Sequence, residues 1–372
     1  MGNRDIIYKM AFSFLKKITA DFLRELDAKE LNPEEFFNLS TKELVNKLAL
    51  HHNHEFDKLK REEAVALAEK EWNKIKNHNI QPLFLLDDNY PQRLAETNEP
   101  PIILYKLGEA DLDSEQVVAI VGTRKPTPYG IDFCNKIVDE LGTYFPDISI
   151  VSGLAYGVDA TSHKKALEKN LPTIAVVAHG LNMIYPAAHR NLAKEIIRKG
   201  GAIISEYPFD TQPYKPNFLA RNRIIAGLSC ATIVAESNIK GGAMSTANFA
   251  FLYNREVMAL PGRSSDELSS GCNLLIRKNK AHLIEGAADF VEIMGWKPLN
   301  LPIETQQRNL FPELQGDSKK IYEKLQSSRE PVQLDQLGYQ TGLNPSKLLV
   351  ILGELEFDGI IIRHPGNRYS IS

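Results

Sequence analysis

The chain has 372 residues, of which 43% are hydrophobic and 24% charged, with a net charge of -3. That is enough for two or three folded domains. It excludes a disordered chain and a broadly basic nucleic-acid coat, so any polyanion must be held by a local patch. Cys134, Cys230 and Cys272 lie far apart, which argues against a disulfide framework or a zinc site. No apolar run approaches the roughly 18 residues of a membrane helix, and Met1 to Phe12 lacks the continuous apolar stretch of a signal peptide, so the expected location is cytoplasmic.

Residues 1–78 read as a small helical domain, with helix starts at Thr19, Asn32-Pro33 and Ser40-Thr41. From Leu83 the pattern changes. Asp87 to Pro91 is turn-like, and Ile102 to Tyr105 reads as a strand after Glu99-Pro100-Pro101. Further strands are predicted at 117–121, 148–151, 173–177, 202–204, 231–235 and 256–259, alternating with helices. This is the signature of an α/β fold, a doubly wound, mostly parallel Rossmann-like sheet over residues 79–297. Residues 298–317 are polar and proline-containing and read as a linker. In 318–372, helices at 318–325, 334–338 and 346–357 followed by a strand pair at 360–363 and 368–371 form a winged-helix pattern, a module that binds DNA or protein.

Two strand-to-helix turns carry the functional signal. Val117 to Val121 leads into Gly122-Thr123-Arg124, and a helix over 131–141 follows the breaks at Pro126 and Pro128. Ile148 to Val151 leads into Ser152-Gly153 and a helix through Asp159, His163 and Leu167. Glycines let the backbone approach an anion, free N–H groups open each helix and Arg124 adds a guanidinium, so together the turns form a phosphate-binding edge. Arg221-Asn222-Arg223 stands just before an apolar helical run. Its arginines can grip successive phosphates and Asn222 can hold a loop or contact a base; alternatively one arginine caps a helix and the other is solvated. Lys240-Gly241-Gly242 is a third glycine turn opening a helix, although a lone glycine pair is more often simple turn geometry.

Tyr129, Tyr156, Tyr185, Tyr207, Tyr214 and Phe218 cluster around these turns, where rings can stack bases at roughly 1 to 3 kcal/mol each; about half are expected in the core. Asp159 and His163 stand four apart on one helix face. With no third ligand, a structural carboxylate-to-histidine hydrogen bond is preferred over a metal or an acid/base pair. Two classes remain open. A nucleotide-binding enzyme, such as a phosphoribohydrolase, lacks both a G-x-G-x-x-G and an acidic ribose reader, and has only Asp159, His163 and Glu206 as acid/base candidates. A nucleic-acid-binding module accounts better for the arginines, the aromatics and the downstream winged helix.

The ordered set of motifs is more specific than any one of them. Val121 to Arg124, Ser152 to Ala160 with His163, Ile184-Tyr185-Pro186, Ile204 to Pro208, Arg221 to Ser229, Leu260-Pro261-Gly262 and Gly271 to Ile276 resemble the DNA-processing protein A (DprA, or Smf) family across about residues 80–295. The resemblance implies an extended Rossmann fold that binds single-stranded DNA without cutting it. It also implies protection of incoming strands in natural transformation, loading of RecA recombinase and homodimerisation. No cofactor is expected, and the scattered cysteines and the missing third ligand beside Asp159 and His163 lead to the expectation of no metal. The resemblance assigns DNA contact to Gly122, Thr123, Arg124, Ser152, Gly153, Tyr185, Arg221, Asn222 and Arg223, and to Lys240, Gly241 and Gly242 where relatives more often read Ser-Gly-Ser. Phe14 to Thr19 occupies the region where many relatives carry a helix-hairpin-helix turn.

Overall fold

A computed structural model describes residues 3–16, 18–48, 56–299, 314–328, 331–357, 360–364 and 366–371. The chain divides into two compact units, residues 1–301 and 302–372. Most of the expected linker, residues 300–313, lies outside the described residues, as does Lys17 in the Phe14 to Thr19 segment.

The first unit begins with helices whose starts follow their capping residues. Thr19 accepts from the Phe22 N–H to open Ala20–Ala28, and Asn32 accepts from the Glu35 N–H to open Pro33–Asn38 with proline in its first turn. Ser40 and Glu43 bond reciprocally at the start of Thr41–Leu48. Their apolar faces, with Lys58–Ile75, enclose Phe12, Phe36 and Leu44, and this cluster runs on without a break into residues of the central sheet such as Ile80, Leu104 and Val121. A cut between residues 78 and 79 therefore passes through one continuous apolar core. Arg61 is fully buried there, donating to the Phe36, Leu39 and Phe56 carbonyls.

Nine strands follow: β1 (Ile80–Phe84), β2 (Ile103–Gly108), β3 (Val117–Gly122), β4 (Ser149–Ser152), β5 (Thr173–Val176), β6 (Ala202–Ser205), β7 (Ala231–Glu236), β8 (Glu256–Ala259) and β9 (His282–Leu283). They form one sheet in the order β1-β2-β6-β5-β4-β3-β7-β8-β9. From β6 to β9 every pairing is parallel, and β2 and β1 add antiparallel at one edge. β1 and β9 are additional to the predicted strands: β1 carries Pro82 at a sheet edge, where a missing N–H is tolerated, and β9 is too short to show a period. Alternate residues of β3 enter opposite faces, Val117, Ala119 and Val121 one core and Val118 and Ile120 another. Cys134 and Cys272 are buried in these cores, and burial pushes both thiols up to about 12.

β4, β5 and β6 step away from β3 on one side and β7, β8 and β9 on the other. The chain thus diverges between the C-terminal ends of β3 and β7, the topological switch point where open α/β sheets leave a crevice. The second unit packs helices Gly316–Gln326, Leu334–Thr341 and Pro345–Phe357 against β10 (Val332–Gln333), β11 (Ile361–His364) and β12 (Arg368–Ile371) around Ile321, Leu337, Leu352 and Tyr369. Its antiparallel sheet has the order β10-β12-β11, which is the winged-helix arrangement. Among the described residues no helix is long and apolar enough to cross a membrane.

Helix Lys58–Ile75 is tied to the loop after β6: Glu71 accepts from the Phe209 N–H at 2.6 Å, and Lys74 pairs with Asp210 at 2.5 Å. Burial raises the Glu71 carboxyl above its ordinary range, opposed by the Phe209 N–H. A raised folded-state value means that stability is greatest when Glu71 is protonated and falls as pH rises through that value. Glu71→Gln, which keeps an acceptor for Phe209, is expected to melt above the wild type at neutral pH, with the advantage shrinking on acidification. A pH series of melting temperatures measures this.

Candidate nucleic-acid interface

The loop leaving β3 at the switch point is pinned from β7. The Thr123 N–H donates to the Glu236 carbonyl at 2.7 Å, while the Thr127 N–H and hydroxyl donate to the Glu236 carboxylate at 2.8 and 2.7 Å. Thr127 then caps helix Pro128–Tyr144. Glu236 is buried, so both oxygens are committed to shaping the loop. No motif singles out Glu236 in the sequence, although its place at the end of a strand beside the third glycine turn is a usable signal. The loop's outer side carries Arg124 and Lys125, both exposed and without an ion pair among the described residues. The Arg124 guanidinium lies 5.7 Å from the centre of the Phe218 ring, and that ring lies 5.7 Å from Tyr185, itself half exposed.

Behind this loop the second turn has a different task from the one expected. A Cβ on Gly153 would sit 2.6 Å from the Arg221 guanidinium and 2.7 Å from the Asp159 carboxylate, so the missing side chain makes room for a buried charge. Gly122 likewise makes room for Val158, whose methyl would lie 2.4 Å from an added Cβ. The Ser152 hydroxyl is buried and donates to the Ile120 carbonyl at 2.7 Å. Tight interior packing thus sets these small residues.

Arg221, Asn222 and Arg223 lie within helix Lys215–Leu228, not ahead of it, because Pro216 is accommodated in its first turn. Arg221 points inward and is 4% exposed, donating to the Gly153 carbonyl at 2.9 Å and to the Val176 carbonyl. Burial lowers its guanidinium to about 10, with Asp159 opposing the shift. Asn222 donates to the Gly242 carbonyl at 3.2 Å and accepts from Arg221 Nε at 3.3 Å. Two residues along a helix reverse direction, so Arg223 leaves this cluster and pairs with Glu206. The two arginines therefore do not form adjacent grips.

Gly122, Thr123, Arg124, Arg221, Asn222, Gly241 and Gly242 are brought together around one pocket of about 610 Å³, with Phe218 and Asp159 in its wall. Helix Gly242–Leu252 opens onto it, capped by Gly241, with the surface beside Gly242 clear. Tyr185 reaches the mouth through Phe218; Ser152 and Gly153 lie behind, Lys240 is exposed on the neighbouring turn, and Arg223 lies outside. None of the six clustered aromatics is buried: Tyr129, Tyr156, Tyr185 and Tyr214 are exposed, and Tyr207 and Phe218 are half buried. The expectation that half belong to the core is corrected by their place at the strand ends, above the core. The Asp159–His163 hydrogen bond is corrected too. His163 Nδ1 donates to the Thr173 hydroxyl at 2.7 Å, the hydroxyl's own proton going to the Ile150 carbonyl, while Asp159 accepts from the Ala155 N–H. Burial pushes His163 down to about 3 and raises Asp159 against the pull of Arg221.

A family model for DNA recombination-mediator protein A matches residues 81–295, and one for the DprA winged helix domain matches residues 307–367. The chain belongs to the DNA recombination-mediator protein A family. Protein Smf of Synechocystis sp. is 37% identical over 323 residues, covering 77% of this chain and 80% of that relative. DNA processing protein DprA of Streptococcus pneumoniae is 38% identical over 220 residues, 59% of this chain and 74% of its own. The crystal structure of DprA from Streptococcus pneumoniae aligns with a TM-score of 0.64 at 30% identity, over 80% of this chain and 99% of that one. DNA processing protein A from Helicobacter pylori, whose structure concerns its single-stranded DNA binding mode, aligns with a TM-score of 0.52 at 35% identity, over 58% and 95%.

Arg221→Ala would strip the Gly153 and Val176 carbonyls of a donor and leave Asp159 without its neighbouring cation. It is expected to destabilise the protein by about 3 kcal/mol or more, whereas Arg124→Ala leaves the unfolding midpoint unchanged. Urea unfolding of the two variants distinguishes the buried role from the exposed one.

Proposed function

We propose that this chain binds single-stranded DNA along the C-terminal edge of its parallel sheet, does not cut it, and passes it to RecA recombinase as a cytoplasmic homodimer acting in transformation or recombination. The observation that carries the reading is Arg124: an exposed cation, without an ion pair among the described residues, on a rigidly pinned loop, lying over the Phe218 ring beside Tyr185 at the mouth of the switch-point pocket. A cation tracks phosphates and open rings take bases, which is the chemistry of sequence-tolerant strand binding. Family membership and the binding mode of the Helicobacter pylori relative support it. Arg221 and Asn222 then act from within, setting the pocket floor, while Gly241 and Gly242 bring a helix N-terminus to the strand.

Against the phosphoribohydrolase alternative stand the states of its acid/base candidates. His163 is sealed in the core in neutral form, Asp159 is committed to the Ala155 N–H beside Arg221, and Glu206 is paired with Arg223. In the winged-helix unit, helix Pro345–Phe357 exposes Leu349 and Val350, and Lys347 pairs with Asp317 at 2.6 Å. That surface favours a protein partner over duplex DNA.

Arg124→Ala is expected to weaken single-strand binding and to flatten the dependence of log affinity on log salt by about 0.7. Fluorescence anisotropy across a salt series measures both; an unchanged affinity and slope would remove Arg124 from the interface. Purified protein is expected to show no nuclease or nucleotide hydrolase turnover, with or without divalent metal. Turnover that disappears in His163→Ala would restore the enzyme reading.

A further inference from the structure

Beyond the Arg124 pocket a second cavity of about 840 Å³ opens where β7 and β8 end, between Tyr129 and the turn Arg263 to Ser269. The two cavities share Glu267 and Leu268 as a common wall, so a strand leaving the first on that side would run over the second. The walls are preformed. The Tyr129 hydroxyl donates to the Pro261 carbonyl at 2.9 Å, leaving its ring half exposed. Asn273 holds Gly262 on both sides, accepting from its N–H at 3.2 Å and donating to its carbonyl at 2.9 Å. The Leu260-Pro261-Gly262 and Gly271-Cys272-Asn273 motifs, distant in sequence, thus support one rim.

The charges decide what can enter. Among the described residues Arg263 is the one cation in the lining, exposed and without an ion pair, and it shares that lining with three carboxylates, Glu236, Asp266 and Glu267. A phosphate would be repelled from the interior, so the backbone must run along the Arg263 rim and the base must turn inward. Glu236 has both oxygens committed to Thr127, and Asp266 accepts from the Ser265 hydroxyl at 3.2 Å. Glu267 is exposed and has no ion pair or side-chain hydrogen bond among the described residues, so its two oxygens remain as a side-by-side pair of acceptors. Guanine alone among the DNA bases presents two adjacent N–H donors, at N1 and N2, on its pairing edge. Adenine and cytosine place an acceptor next to the amine, and thymine flanks its single N–H with two carbonyls.

Resting on the single-strand reading above, we infer that this second cavity is a base subsite selective for guanine, with the ring stacked on Tyr129, the pairing edge on Glu267 and the flanking phosphate at Arg263. The test uses the full chain and fluorescence anisotropy. A labelled oligothymidylate is compared with strands carrying one guanine, or one hypoxanthine lacking the N2 amine, at each position in turn. Guanine at one register is expected to tighten binding at least about fivefold, the size of a bidentate base contact. Hypoxanthine and the Glu267→Gln variant should each lose that gain. Guanine adding nothing at any register, or a gain that survives Glu267→Gln, overturns the subsite. If oligothymidylate still binds and Arg124→Ala still weakens it, only the subsite falls; if no strand binds, the single-strand reading falls with it.

Discussion

The burial of the Arg221 guanidinium under the ends of β4 and β5 is the constraint around which the site is built. A positive charge taken out of water must be met by acceptors on every side, and here the Gly153 and Val176 carbonyls, Asn222 and the nearby Asp159 carboxylate supply them. Each of those partners is thereby placed. Residue 153 can carry no side chain, Asp159 is drawn to the start of helix Val158–Glu168, and Asn222 is turned so that its amide reaches Gly242. One buried ion thus ties together β4, β5 and two helices.

The consequence for function is a division between a fixed interior and a free surface. Glu236 pins the loop after β3 through three hydrogen bonds, so Arg124 is presented from a backbone that has already lost its conformational freedom. Its side chain lies over Phe218 and is otherwise unpaired among the described residues, in contrast to Arg223, whose charge is already answered by Glu206. The arginines of this region look equivalent in the chain. Their neighbours separate them into a structural ion, a paired ion and one available to a ligand.

The helical region before the sheet is part of the same folded body. Its apolar residues join the core of the sheet, and Glu71 and Lys74 clasp the loop that follows β6 and leads toward Phe218. This clasp couples the first helices to the edge where the strand is proposed to run.

The alternating strands and helices, the caps at Thr19, Asn32 and Ser40, the winged-helix order and the ordered family motifs were all legible in the sequence, because they rest on local periodicity, on backbone groups a few residues away, or on motif order. The short edge strand β9 was not, since two residues carry no period, and Pro82 hid β1. At the site, the turns at Gly122 and Gly153 were legible as one edge because both follow strands of one parallel sheet, and the family resemblance joined Arg221, Asn222 and Arg223 to it, of which Arg223 instead pairs with Glu206 outside the pocket. What the sequence could not decide was direction and partner. Gly122 and Gly153 read as openings for an anion, yet they face Val158 and Arg221; Asp159 and His163 share a helix face, yet His163 turns to Thr173. Burial, charge pairing and the free energy of a buried polar group depend on atoms brought together from distant parts of the chain. Only the tertiary structure could therefore separate the buried arginine from the exposed one.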